Sequence, residues 1–178
     1  EHTTDTREVL GSIPSARTII MLKPEKRFMQ AAIDEAIAAQ RKGDYGIGAV
    51  IVKGGKILVR AVNRSKIDED ATQHAEIVAI QNASKKLSSR YLTGCVLYST
   101  HEPCPMCASA AIWAKMDGIV FGAKMEDMAE FRSKNGNEVW KWRTINISAS
   151  EVLSKGEPKL HVIEEFMRKE CRKLFHDK

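Results

Sequence analysis

At 178 residues, with 43% hydrophobic and 29% charged side chains, the chain is long enough to bury the core of one domain without crosslinks. Four cysteines, at positions 95, 104, 107 and 171, are too sparse for a secreted disulfide scaffold. No apolar run approaches the ~20 residues of a membrane span, and the net charge of +5 is scattered along the chain, so nothing marks out a nucleic-acid-binding strip.

Residues 1–20 show no clear periodicity and lack the continuous apolar core of a signal peptide, whereas Met21 opens the first patterned segment. The expectation is a leader or non-native segment over 1–20, a single domain over 21–178, and a reducing, cytoplasmic setting. "PEKRFMQAAIDEAIAAQRKG" predicts a helix: Pro24 suits its start, Phe28, Ile33, Ala36 and Ile37 share one face, and Gly43 follows a basic last turn. "IGAVIVKGGKILVRAVN" predicts two strands joined at Gly54-Gly55, and "RSKIDEDATQ" a polar loop.

"HAEIVAIQNASKKL" then reads as a helix, "GCVLYST" as a strand, "CPMCASAAIWAKM" as an alanine-rich helix and "GIVFGA" as a second buried strand. Two strand–helix units in series imply a sheet with parallel neighbours covered by helices. "EDMAEFRSKNG" is expected to be a loop. "SASE" at 148–151 matches a capping box, "KLHVI" a last strand and "EEFMRKECRKLF" a last amphipathic helix.

Cys104 and Cys107 carry the chemistry. A Cys-x-x-Cys pair alone serves a disulfide, a redox couple, a structural metal knuckle or a catalytic metal site. Here the two lie at a helix start, with Pro105 in the first turn, so their side chains share one face near the helix's positive end. His74 opens the other helix, and two helices starting at the same sheet edge bring it to the cysteine pair. Three protein ligands leave the fourth position of a zinc ion to water, the pattern of a catalytic site, with the water's pKa lowered to about 7. Glu76, two residues beyond His74, is placed to move protons without being a ligand. His101 lies three residues before Cys104, but Pro103 and the turn between them aim it elsewhere. Cys95 and Cys171 read as small buried hydrophobes.

His74-Ala75-Glu76 followed by Pro103-Cys104-Pro105-Met106-Cys107 is the signature of zinc-dependent nucleobase deaminases. With "GAVIV", Asn63, "LYST", "EPCPMC" and "VFGA" in order from Phe28 to Glu130, the chain resembles the cytidine/deoxycytidylate deaminase superfamily, in the branch of bacterial guanine deaminases and tRNA adenosine deaminases. The resemblance implies a three-layer α/β/α sandwich around a mixed five-stranded sheet, one zinc ion and a homodimer. It implies further that Asn63 and the backbone at Ala75 contact the base.

The choice of base rests on fewer residues. Asp127, counted from Cys107, falls where guanine deaminases use an acidic residue to recognise the ring, and Trp113 falls on a tryptophan of that family. The Gly-Ala-Ala-Gly-Ser-like loop of the tRNA enzymes is missing. Ile47 stands where guanine deaminases have a phenylalanine, as it does in the adenosine branch, and "FHDK" lacks the aromatic end of some guanine deaminases. Trp113 by itself reads first as core or interface packing, as do Trp140 and Trp142. The expected function is zinc-dependent hydrolytic deamination of a small nucleobase or nucleoside, guanine first. The alternatives are a tRNA adenosine-to-inosine deaminase, a cytosine or cytidine deaminase, and a non-catalytic zinc-stabilised binding subunit, against which the intact Glu76 argues.

Overall fold

The computed structural model describes residues 22–135 and 145–176. The expectations for residues 1–20, Trp140 and Trp142 lie outside them. Helix α1 (Lys26–Arg41) buries Phe28, Met29, Ala32, Ile33 and Ala36, close to the face expected from their spacing. Strands β1 (Gly48–Lys53) and β2 (Lys56–Val62) are joined by Gly54 and Gly55, whose φ values of 56° and 71° suit the two-residue turn that matches strand twist.

The chain continues through α2 (Ala75–Leu87), β3 (Cys95–His101), α3 (Pro105–Trp113) and β4 (Gly118–Ala123). It ends with α4 (Met125–Asn135), α5 (Ala149–Lys155), β5 (His161–Ile163) and α6 (Arg168–His176). The strands lie in the order β2-β1-β3-β4-β5, with β1 antiparallel to β2 and β3, and β3, β4 and β5 parallel. This is the mixed five-stranded sheet that the resemblance implied.

Side-chain alternation along the strands sorts the core into two layers. Ala49, Ile51, Leu97, Ile119 and Phe121 pack with α2, α3 and α5, while Val50, Val52, Tyr98 and Val120 pack with α1, Met128 of α4 and Leu174 of α6. Full burial of a side chain such as Ile51 or Phe121 contributes about 1.5–3 kcal/mol. Close approach of α1 to the sheet depends on Gly48: a Cβ there would lie 2.9 Å from the Glu35 carbonyl carbon and nearer still to the Ala32 oxygen.

The segment expected as a loop after β4 is helix α4. Its cap is tertiary: Glu102 Oε2 accepts the Met125 N–H at 2.9 Å, and Asp127 reaches back to accept the Lys124 N–H at 2.9 Å. Lys124 in the cap position hid this start. Ser148 caps α5 as expected, accepting the Glu151 N–H at 3.1 Å. Helix α6 begins later than its sequence suggests, because Glu165 and Met167 take positive φ and the Phe166 N–H bonds to the Phe121 carbonyl.

Candidate metal centre

The short β3–α3 connection and the loop before α2 place two helix starts together. His74 is the residue before the first turn of α2, and Cys104 holds the same position in α3, with Pro105 opening the helix. Cys107 follows one turn later and is fully buried. His74 Nδ1 lies 3.6 Å from Cys104 Sγ and 3.5 Å from Cys107 Sγ, and the sulfurs are 3.6 Å apart.

A tetrahedron with zinc–sulfur arms of about 2.3 Å and a zinc–nitrogen arm of about 2.0 Å has edges of roughly 3.5–3.8 Å. The three donors therefore fit zinc both by spacing and by chemistry, and they are the metal-competent His/Cys/carboxylate group among the described residues. Within this cluster, hydrogen bonding with Cys107 and with the neighbouring His74 pushes the Cys104 thiol down to about 4, even though burial opposes this. Cys107 moves upward through the same hydrogen bond and its burial, and His74 moves upward chiefly through Cys104.

Glu76, in the first turn of α2, is 3% exposed. Ser99 Oγ, on β3, donates to Glu76 Oε1 at 3.0 Å, and Oε2 lies 3.7 Å from Cys107 Sγ. Burial raises its pKa above the usual carboxylate range. A carboxyl group placed here can take up and release a proton.

Cys104, His74 and Glu76 open on a cavity of about 630 Å³, whose lining also includes Ile47, Asn63, Tyr45 and Met106. The structure thus brings Ile47 and Asn63 to the metal centre. Ala75 is fully buried beside it, and its N–H belongs to the first turn of α2, where helix geometry leaves amides without intrahelical partners.

Asp127 is not brought to the cavity. Its carboxylate, 1% exposed, accepts from Arg168 Nε and Nη2 at 2.9 Å each and lies 3.3 Å from Arg172 Nε, so it anchors α4 to α6. The sequence did not show that α6 would carry two arginines across this position. Trp113 is 82% exposed on α3, neither core nor pocket. His101 is buried, with Nδ1 2.9 Å from Thr100 Oγ1, and is outside the three-donor cluster; Cys95 and Cys171 are buried free thiols.

Several site residues were not foreseen. Met125, Met128, Ile145 and Ile147 form apolar wall. Glu102 stands beside the cysteines and accepts the first N–H groups of α4 and α5, at 2.9 Å each, through its two oxygens. Asp44, in the loop before β1, is 4% exposed and bonded to Asn63. An aspartate after Gly43 reads as a turn residue, and only burial distinguishes it.

The family model of the cytidine and deoxycytidylate deaminase zinc-binding region matches residues 22–123. A tRNA-specific adenosine deaminase of Aquifex aeolicus is 42% identical over 96 residues, 54% of this chain and 64% of that protein. A guanine deaminase of Bacillus subtilis is 39% identical over 104 residues, 58% of this chain and 67% of that protein. The chain therefore spans a little under two thirds of the length of the first of these relatives. The solved guanine deaminase of Nitrosomonas europaea superposes with a TM-score of 0.71 over 99% of this chain and 98% of that one at 21% identity, a likeness of fold that extends through the C-terminal third.

Proposed function

Because the chain belongs to the cytidine and deoxycytidylate deaminase zinc-binding family, we infer that it is a zinc-dependent hydrolase that removes an amino group from a nucleobase as ammonia. The observation that carries this reading is a buried Glu76 beside the His74, Cys104 and Cys107 donors, with Glu76, His74 and Cys104 facing one cavity. Those three residues would hold the zinc. When bound, zinc lowers the pKa of water enough to supply a nucleophile at neutral pH.

Glu76 takes the proton that this water gives up, delivers it to the ring nitrogen beside the amine-bearing carbon, and later passes a proton to the departing amine. Ser99 holds one carboxyl oxygen in place and leaves the other for this exchange. Ile47 packs on the base, and Asn63 and the Ala75 amide orient it. Water and an amidine become a carbonyl and ammonia, so no further reactant is needed.

Guanine, as free base or nucleoside, is the substrate we assign; the missing small-residue loop of the tRNA enzymes and the likeness to a guanine deaminase support it. A tRNA adenosine is the second reading, favoured by Ile47 and by the likeness to a tRNA-specific deaminase. No helix among the described residues is long and apolar enough to cross a membrane, and the free thiols suit a cytoplasmic enzyme of purine metabolism. We assign a homodimer, supported by the exposed Trp113. Ammonia release by the zinc-loaded protein over guanine, guanosine, cytosine, cytidine, adenine, adenosine and tRNA tests the reading. Turnover of guanine or guanosine is expected, and turnover of cytosine alone would overturn the substrate.

A further inference from the structure

Asn63 is fully buried in the cavity wall, and its two halves are treated differently. Its Nδ2 donates one proton to Asp44 Oδ1 at 2.7 Å and the other to Ser65 Oγ at 2.7 Å. Its Oδ1 is buried and has no partner among the described residues. A carboxylate can only accept, so Asp44 decides which way round the amide sits.

Asp44 is itself held on all sides. Oδ1 also accepts the Tyr45 N–H at 2.7 Å, and Oδ2 accepts the Lys66 and Ile67 N–H groups at 3.0 Å each. The loop after β2 is thereby tied to the loop before β1, and the orientation of Asn63 is set before any ligand arrives. An unsatisfied buried carbonyl is costly, and a ligand that satisfies it recovers that cost.

We propose that Asp44 is a positioning residue that fixes Asn63 as an acceptor toward the cavity, so that the site selects a base presenting an N–H donor there. This rests on the deaminase reading for its choice of ligand, and it sharpens that reading. Guanine carries ring N–H groups, whereas adenosine and cytidine carry none in their neutral forms and offer only the departing amine and ribose hydroxyls.

The Asp44→Asn variant makes a specific test. Its new NH2 would oppose two donors, the Lys66 and Ile67 N–H groups, on one side and the Tyr45 N–H alone on the other, so it turns toward Asn63. Asn63 then rotates its own oxygen to meet it, and an NH2 faces the cavity instead of an oxygen. The fixed acceptor is lost while size and shape remain.

Two measurements separate the proposal from the function it rests on. In the ligand-free zinc protein, the Asn63 side-chain NH2, assigned by comparison with Asn63→Ala, should exchange with solvent slowly by NMR, and Asp44→Asn should abolish that protection. Free exchange in the wild type would overturn the clamp whatever the enzyme does. Binding is then measured to guanine, to 2-aminopurine, which has a lone pair in place of the ring N1–H, and to 9-methylguanine, which lacks the imidazole N–H. The wild type should bind one of the two analogues about 10- to 100-fold more weakly than guanine, and Asp44→Asn should erase that difference. Equal affinity of the wild type for all three, or a uniform loss in the variant, would overturn the selectivity. Absence of deamination with the clamp and selectivity intact would count against the catalytic reading alone.

Discussion

The Asp127→Asn substitution distinguishes a structural carboxylate from one that meets substrate. In the folded protein this side chain is 1% exposed, bonded twice to Arg168, close to Arg172 and capping Lys124. Removing one partner from a fully buried ion pair costs about 3–5 kcal/mol. Here the two arginine side chains are 34% and 36% exposed, so water screens the loss and the expectation falls to about 2–3 kcal/mol. For a chain of this length that lowers Tm by roughly 4–12 °C.

Burial opposes the Asp127 charge, but the hydrogen bonds from Arg168 and from the Lys124 N–H, with the charges of both arginines, outweigh it and hold the carboxyl below its usual range. With the folded value below the unfolded ~3.9, the contribution is fully present above about pH 5 and fades as pH falls through the folded value. Urea unfolding at pH 7 should show the full gap between wild type and variant, and the gap should close in strong acid. Unchanged stability together with a raised KM for the base would refute this account and return Asp127 to the substrate.

Glu76→Gln should retain zinc by elemental analysis while ammonia release falls by about 10²–10⁴, whereas Cys104→Ser should lose the metal; an active Glu76→Gln enzyme would sink the mechanism. Buried His101 is held neutral, its pKa pushed down to about 3 by burial, against ~6.5 unfolded. The unfolded chain alone therefore binds that proton, stability is lost as pH falls below 6.5, and the loss reaches about 2 kcal/mol at pH 5; His101→Gln should flatten the urea-measured slope between pH 6.5 and 4. Removing zinc by chelation exposes a Cys104 thiol with a pKa of about 4, so one cysteine should react with a thiol reagent at pH 6, and rebinding zinc should suppress that reaction.

The metal centre was legible because its residues are local signals. Cys104 and Cys107 share a helix face by spacing, Pro105 marks the helix start, and His74-Ala75-Glu76 opens a second helix after a hairpin. The turn at Gly54-Gly55 and the cap at Ser148 were equally readable, since each depends on conformations that few residues adopt. Helix α4 was missed because its first amide, Met125 N–H, is met by Glu102, a residue from another connection.

By itself the sequence determined the strand and helix pattern apart from α4, the three candidate metal donors and the carboxylate beside them, since periodicity and short-range spacing encode these directly. Tertiary structure alone decided what Asp127 and Asp44 bond to. Asp127 and Asp44 are both single aspartates in segments that read as loops. One is drawn into α6's arginines, and the other is turned by the Lys66 and Ile67 amides toward Asn63. Those partners lie 41 and roughly 20 residues away in the chain, beyond the reach of any local pattern, and only the packed sheet brings them together.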